Sequence, residues 1–233
     1  MTAALAIFVK TPGHSPIKTR LAASLGAPAA IAFHRLASQA VAETAQAACA
    51  HAPMLQAYWA VAENAALDDP LWRNLPQLWQ GEGSLGERLH RVYATLLVRH
   101  ERVLLVGVDA PQLTQELLLQ ACDALTDAAT PCVIGEAHDG GFWLFGGRVP
   151  IAHEIWCGVR YSCADTARQL RAALRPLGAP ASLPTLTDID HAHDLPALAA
   201  ALDTLPALLP AQQAVRRWLR ALPAVAPRMQ VLA

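Results

Sequence analysis

No uninterrupted apolar run approaches the roughly 18 residues that a bilayer-spanning helix requires, although 54% of the 233 residues are hydrophobic and only 16% are charged. A soluble protein with a large core is expected. The five cysteines, Cys49, Cys122, Cys132, Cys157 and Cys163, are odd in number and contain no C-x-x-C pair, so neither a disulfide framework nor a zinc knuckle is signalled. The N-terminus has no basic segment leading into a long apolar core and a small-residue cleavage site, and a cytoplasmic location is expected. A formal net charge of −1 supplies no general attraction for nucleic acid. Walker and dinucleotide-fingerprint spacings are also missing, which disfavours a P-loop NTPase and a Rossmann dehydrogenase.

Acidic residues are absent from the first 42 positions, which carry Lys10, Lys18, Arg20 and Arg35. Within that segment Leu5-Ala6-Ile7-Phe8-Val9 reads as a buried central strand of a parallel sheet. The loop that follows, Lys10-Thr11-Pro12-Gly13-His14-Ser15-Pro16-Ile17-Lys18-Thr19-Arg20, leaves such a strand where open α/β sheets bind ligands. Hydroxyls, backbone N–H groups, the turn at Gly13 and three cationic side chains suit an anionic, phosphate-bearing ligand. A merely solvated basic loop is the plainer alternative.

Strand and helix patterns alternate along the rest of the chain, predicting a three-layer α/β/α sandwich with a mainly parallel central sheet. An alanine-rich helix is expected from Pro28 to His51, strands at Met54–Val61 and Gln77–Gln80, and a helix capped by Ser84 and Glu87. In that helix Leu85, Leu89, Val92 and Leu96 form a core-facing stripe. Arg102 to Asp109 reads as a second central strand ending on a carboxylate. Thr114 is placed to cap a further helix, Cys132–Gly135 begins another strand, and Leu183–Ile189 returns as a strand. One domain is expected over 1–233, with 204–233 as a helical appendage. Arg216, Arg217, Arg220 and Arg228 there suggest a basic helix face.

Asp109, at the end of a central strand, is suited to hold a divalent metal over phosphates; capping the next turn is its structural alternative. Asp188-Ile189-Asp190, with Asp194 beyond, offers a further carboxylate, although a helix cap explains one of the three. His191 and His193 have no Cys/His framework beside them, and zinc ligation is disfavoured. Asp139-Gly140-Gly141 lets backbone approach an acceptor sugar or phosphate, or simply forms a hairpin or bulge.

Four blocks taken together resemble the GT-A-like nucleotide-diphospho-sugar transferases, a family similar to phospholactate and molybdenum-cofactor guanylyltransferases. They are Lys10-Thr11-Pro12-Gly13 with Lys18-Thr19-Arg20-Leu21; Leu85-Gly86-Glu87-Arg88-Leu89; Gly107-Val108-Asp109-Ala110-Pro111; and Asp139-Gly140-Gly141-Phe142-Trp143-Leu144 with Asp188-Ile189-Asp190-His191-Ala192-His193-Asp194. The last departs from the family's Asp-x-Asp-Thr-Pro-x-Asp by placing His191-Ala192 at Thr-Pro. The resemblance implies that Lys10, Lys18 and Arg20 bind donor phosphates, that Asp109 and Asp190 hold Mg2+ (or Mn2+), and that Gly86 and Arg88 contact the nucleotide.

The clustered cations favour a nucleoside triphosphate donor and nucleotidyl transfer to a small phosphorylated acceptor, with Lys18, Arg20 and Asp109 as the catalytic groups. Glycosyl transfer from a nucleotide-diphospho-sugar is the alternative, with Asp139 as the base for an acceptor hydroxyl. A nucleotide-binding regulatory protein is the reading outside enzymology. The expected partners are a nucleotide or nucleotide-sugar donor and a small-molecule acceptor, with no nucleic acid and no membrane span.

Overall fold

The structure, a computed structural model, describes residues 2–222. Arg228 and the prolines at 223 and 227, assigned above to a C-terminal appendage, lie outside the described residues. Strand β1 (Ala3–Val9) is central, and its side chains alternate between two cores. Leu5, Ile7 and Val9 enter one apolar cluster, while Ala4 and Ala6 enter the other. Burial on both faces is what a strand between two helical layers requires.

The remaining strands are β2 (Leu55–Val61), β3 (Gln77–Trp79), β4 (Arg102–Val106), β5 (Cys132–Ala137), β6 (Phe142–Gly147) and β7 (Ala181–Leu186). They form one sheet in the order β3-β2-β1-β4-β6-β5-β7. Every pairing is parallel except those of β6, which runs antiparallel to both β4 and β5. The expected three-layer, mainly parallel architecture is therefore present. Strand β4 stops at Val106, so Asp109 sits in the turn beyond the strand instead of ending it. The β5–β6 connection is a hairpin turn at Asp139-Gly140-Gly141, with a register shift at Gly135/Glu136.

The α-helices are α1 (Thr19–Leu25), α2 (Ala27–His51), α3 (Leu85–Leu97), α4 (Gln115–Ala124), α5 (His153–Cys157), α6 (Thr166–Leu174), α7 (Leu195–Thr204) and α8 (Pro210–Ala221). α2 and α4 cover the face that holds Leu5 and Ile7, and α3, α5 and α6 cover the other. The side of α2 that meets the sheet is largely alanine, including Ala42, Ala45 and Ala48, which lets a helix seat closely on a sheet. The predicted capping box of α3 is formed: Ser84 Oγ accepts from Glu87 N at 3.4 Å and Glu87 Oε2 accepts from Ser84 N at 2.7 Å. Such a cap is worth about 1 kcal/mol. Leu89, Val92 and Leu96 are buried as expected, but Leu85 is 44% exposed because the first turn of α3 overhangs the rim of the ligand cavity.

Of residues 204–233, the part that is described packs against α2 and shares a third apolar cluster with α1 and α7. Phe33 and Trp218 bring their rings to 5.3 Å. Buried Gln212 donates to the carbonyls of Pro111 (3.1 Å) and Leu113 (2.9 Å), so α8 braces the turn that follows Asp109. Among the described residues no helix is long and apolar enough to cross a membrane.

Candidate active site

β1 and β4 are neighbours and parallel, with Ile7 opposite Val106, so the segments that follow both emerge side by side. β7 ends on the same edge because it runs parallel to β5, and β6 begins there because it is reversed. A cavity of about 920 Å³ opens at this carboxyl edge, large enough for a nucleotide with part of an acceptor. Lys10, Lys18, Arg20 and Arg88 line it on the β1 and α3 side, and Asp109, Asp139, Asp188 and Asp190 line the rest.

Lys18 makes the densest set of contacts. Its ammonium lies 2.8 Å from Asp109 Oδ1 and 3.0 Å from Asp190 Oδ1, and it donates to the Ile189 carbonyl as well. Three N–H donors thus meet three acceptors. The side chain is only 6% exposed. Burial alone would lower its pKa, but the Asp109 and Asp190 carboxylates outweigh burial and hold it above the ordinary lysine value. Its backbone is left-handed, φ 42° and ψ 51°, at the N-cap of α1, a conformation that costs a non-glycine residue about 1–2 kcal/mol. Buried Ile17 and Leu21 on either side keep it there.

Asp190 also receives Arg20 at 3.2 Å on its other oxygen. Burial works to raise its pKa, yet Lys18 and Arg20 leave it below the usual carboxylate value. Asp194 does not reach the cavity; its Oδ2 accepts from the N–H groups of Asp190 (3.0 Å) and His191 (2.7 Å), the capping role that was the structural alternative. Asp188 differs from both. Burial, then the neighbouring Asp109 and Asp139 carboxylates, push its pKa up to about 8, and its buried Oδ1 has no hydrogen-bond partner. An orphaned buried carboxylate oxygen beside two further carboxylates is a donor set that fits a small divalent cation.

No three His, Cys, Asp or Glu side chains form a preformed metal cage among the described residues. Magnesium does not demand one, because it keeps waters and takes phosphate oxygens alongside one or two carboxylates. The pair that fits is Asp109 with Asp188, whereas the expected Asp109–Asp190 pair has Lys18 between its carboxylates.

Several expected ligand residues serve the fold instead. Thr11 is fully buried: its N–H donates to Glu63 Oε2 (2.9 Å) and its hydroxyl accepts from Trp72 Nε1 (3.0 Å), so it cannot cradle phosphate. Gly13 turns the loop at φ 92° and does not line the cavity. A Cβ on Gly86 would lie 2.6 Å from the Trp156 carbonyl, and one on Gly140 would lie 1.9 Å from the Ala164 carbonyl. Both glycines admit a neighbouring protein backbone at close range. Gly141 and Asp139 do line the cavity, with Asp139 Oδ1 accepting from Gly141 N at 2.8 Å. Arg88 lines it too, its Nε held by the Gly83 carbonyl at 3.0 Å.

Two cavity residues carry no signal in the sequence. His34, buried on α2, contacts the Lys10 carbonyl through Nε2 at 2.8 Å; burial chiefly lowers its pKa, so the neutral ring braces the basic loop. Gln80 spends both amide hydrogens on the carbonyls of Val9 (3.2 Å) and Ala60 (2.8 Å), fixing the cavity wall where β1 and β2 end.

Residues 32–163 match a family described as uncharacterized protein conserved in bacteria (DUF2064). The chain belongs to the DUF2064 family. No curated protein matches this DUF2064 chain. A candidate nucleotide-diphospho-sugar transferase from Desulfovibrio desulfuricans G20 is 24% identical to it with a TM-score of 0.81, covering 94% of this chain and 98% of that one. CMP:2-keto-3-deoxy-manno-octonic acid synthetase, complexed with CTP, is 12% identical with a TM-score of 0.53 over 88% of this chain and 100% of that one. 4-Diphosphocytidyl-2C-methyl-D-erythritol synthase from Anaerococcus prevotii DSM 20548 is 11% identical, with a TM-score of 0.54 over 87% of this chain and 96% of that one. These likenesses establish a nucleotide-diphospho-sugar transferase fold for the DUF2064 chain, in agreement with the family resemblance read from the motifs.

Proposed function

We propose that the protein is a metal-dependent transferase with a nucleotide donor, and that it carries out nucleotidyl transfer from a nucleoside triphosphate to a small phosphorylated acceptor. The observation that carries this is one cavity lined both by Lys10, Arg20 and Arg88 and by Asp109 with the orphaned Asp188 carboxylate. The cations suit the donor's phosphates, and Asp109 and Asp188 would hold the divalent ion. That ion, when bound, supplies charge neutralisation at the reacting phosphates. Lys10 and Arg88 form no ion pair among the described residues, which leaves their charge for the ligand.

An acceptor phosphate oxygen attacks the α-phosphorus, the bond from the α-phosphorus to the bridging oxygen breaks, and pyrophosphate leaves with that electron pair. Lys10, Arg20 and Arg88 orient the donor and stabilise the charge on the departing group. An ionised phosphate acceptor needs no base. Lys18, whose donors are spent on protein acceptors, acts on this chemistry by holding Asp109 and not by reaching the distal phosphates.

Asp139 supports a second reading. It lines the cavity with one oxygen committed to Gly141 N, and its other oxygen would take the proton of a sugar hydroxyl in glycosyl transfer. Incubation of the purified protein with each nucleoside triphosphate or nucleotide-sugar, Mg2+ and a panel of acceptors separates the possibilities. Pyrophosphate release with an α-phosphate-linked product is expected. Nucleoside diphosphate release from a sugar donor would establish glycosyl transfer instead, and binding without turnover across the panel would favour a regulatory protein.

A further inference from the structure

We propose that Lys18 is a resident cation that takes the place of a metal between Asp109 and Asp190, so that the protein holds one divalent ion, at Asp109 and Asp188. This assignment rests on the metal-dependent reading above and changes which carboxylates serve it.

Both oxygens of Asp190 already face cations, Lys18 at Oδ1 (3.0 Å) and Arg20 at Oδ2 (3.2 Å). Each oxygen of this carboxylate thus already carries a cation, and an ion placed between it and Asp109 would sit against the Lys18 ammonium, where like charges repel. Lys18 does not swing aside cheaply. All three of its donors are matched, its side chain is 6% exposed, Ile17 and Leu21 anchor the chain on each side, and its carbonyl accepts from Ala22 N at 2.8 Å in the first turn of α1.

The acceptor left without a partner lies away from Asp190, at the buried Asp188 Oδ1 that no protein group satisfies. Building the lysine into the basic loop therefore joins Asp190 to Asp109 permanently, while the exchangeable ion binds on the other side of Asp109.

Mn2+ titration of the nucleotide-free protein, followed by electron paramagnetic resonance of the free ion, tests the assignment without any turnover. The wild type is expected to bind one Mn2+ per chain. Asp188→Asn should weaken binding by about tenfold or more, whereas Asp190→Asn should change it by less than about threefold. In a Lys18→Gln background Asp190→Asn should become costly, because a carboxylate released from its lysine turns into a ligand. Two ions per wild-type chain, or a tenfold loss in Asp190→Asn with Asp188→Asn unaffected, would overturn the assignment while leaving a metal-dependent transferase standing. An absence of Mn2+ binding in all the proteins would overturn the assignment, and an absence of Mg2+-dependent nucleotide binding would overturn the transferase reading as well. The Asp→Asn changes conserve shape, and far-ultraviolet circular dichroism confirms that each variant compared is folded.

Discussion

The Lys18 ammonium lies 2.8 Å from the Asp109 carboxylate and so ties the loop after β1 to the turn after β4. Lys18 is buried, but Asp109 and Asp190 are 41% and 35% exposed, so solvent screens part of the attraction. Removing one partner of a fully buried pair costs about 3–5 kcal/mol, and of an exposed pair about 0–1 kcal/mol. Lys18→Gln is expected to fall between, at about 1–3 kcal/mol in urea unfolding, with an unchanged denaturant slope. A variant as stable as the wild type would show that the contact contributes nothing to the fold.

Asp188 makes stability depend on pH in an unusual direction. Its folded pKa of about 8 exceeds the unfolded value of about 3.9. Between these two values the native state therefore binds the extra proton, and this contribution to stability is lost as pH rises from about 4 to about 8. Histidines with lowered pKa values, such as His34, act oppositely below their ordinary value, so the contribution is isolated by difference. Metal-free wild type and Asp188→Asn should converge in stability toward pH 5, and the variant should gain on the wild type up to pH 8. A difference that does not change with pH would rule out the raised pKa. Added Mg2+ should reverse the trend in the wild type, since binding displaces the proton.

Gly140 turns the β5–β6 hairpin at φ 89°, and its missing Cβ leaves room for the Ala164 carbonyl. Gly140→Ala combines a disfavoured φ with an overlap at 1.9 Å and is expected to cost about 2–4 kcal/mol. Gly141→Ala, whose nearest contact is the Asp139 carboxylate at 3.1 Å, should be milder in stability and should disturb ligand binding more. Thermal unfolding of the two variants beside nucleotide binding checks the contrast; equal stability losses would contradict it.

The extent to which these features were legible from residues alone follows from the range of the interactions that create them. β1, α2, β2 and α3 are signalled by apolar runs, alanine content and the Ser84/Glu87 box, all of them local, and they are found where expected. Helices α1 and α5 are too short to announce themselves; burial of Leu21 and Trp156 stabilises them. Lys18, Asp109 and Asp190 are each visible as charged residues beside apolar runs, and their convergence depends on β4 lying next to β1. The burial of Thr11 does not show in the sequence because the partner of its hydroxyl, Trp72, is distant in the chain. Gly86 and Gly140 are a related case: a glycine reports close approach without saying whether ligand or protein approaches. Asp188 stands in the sequence as one of a cluster, and its burial separates it from Asp190.

The most direct measurement of the central claim is the thermal shift produced by a nucleoside triphosphate with and without Mg2+, in the wild type and in Asp109→Asn. If donor phosphates reach the protein through a divalent ion held at Asp109, the wild type should be stabilised strongly only when nucleotide and Mg2+ are both present. The variant, folded because the change conserves size, should lose that Mg2+-dependent increment, and any Mg2+-dependent turnover should fall by about 10²–10³-fold. Equal, Mg2+-independent stabilisation of both proteins by the triphosphate would contradict the account.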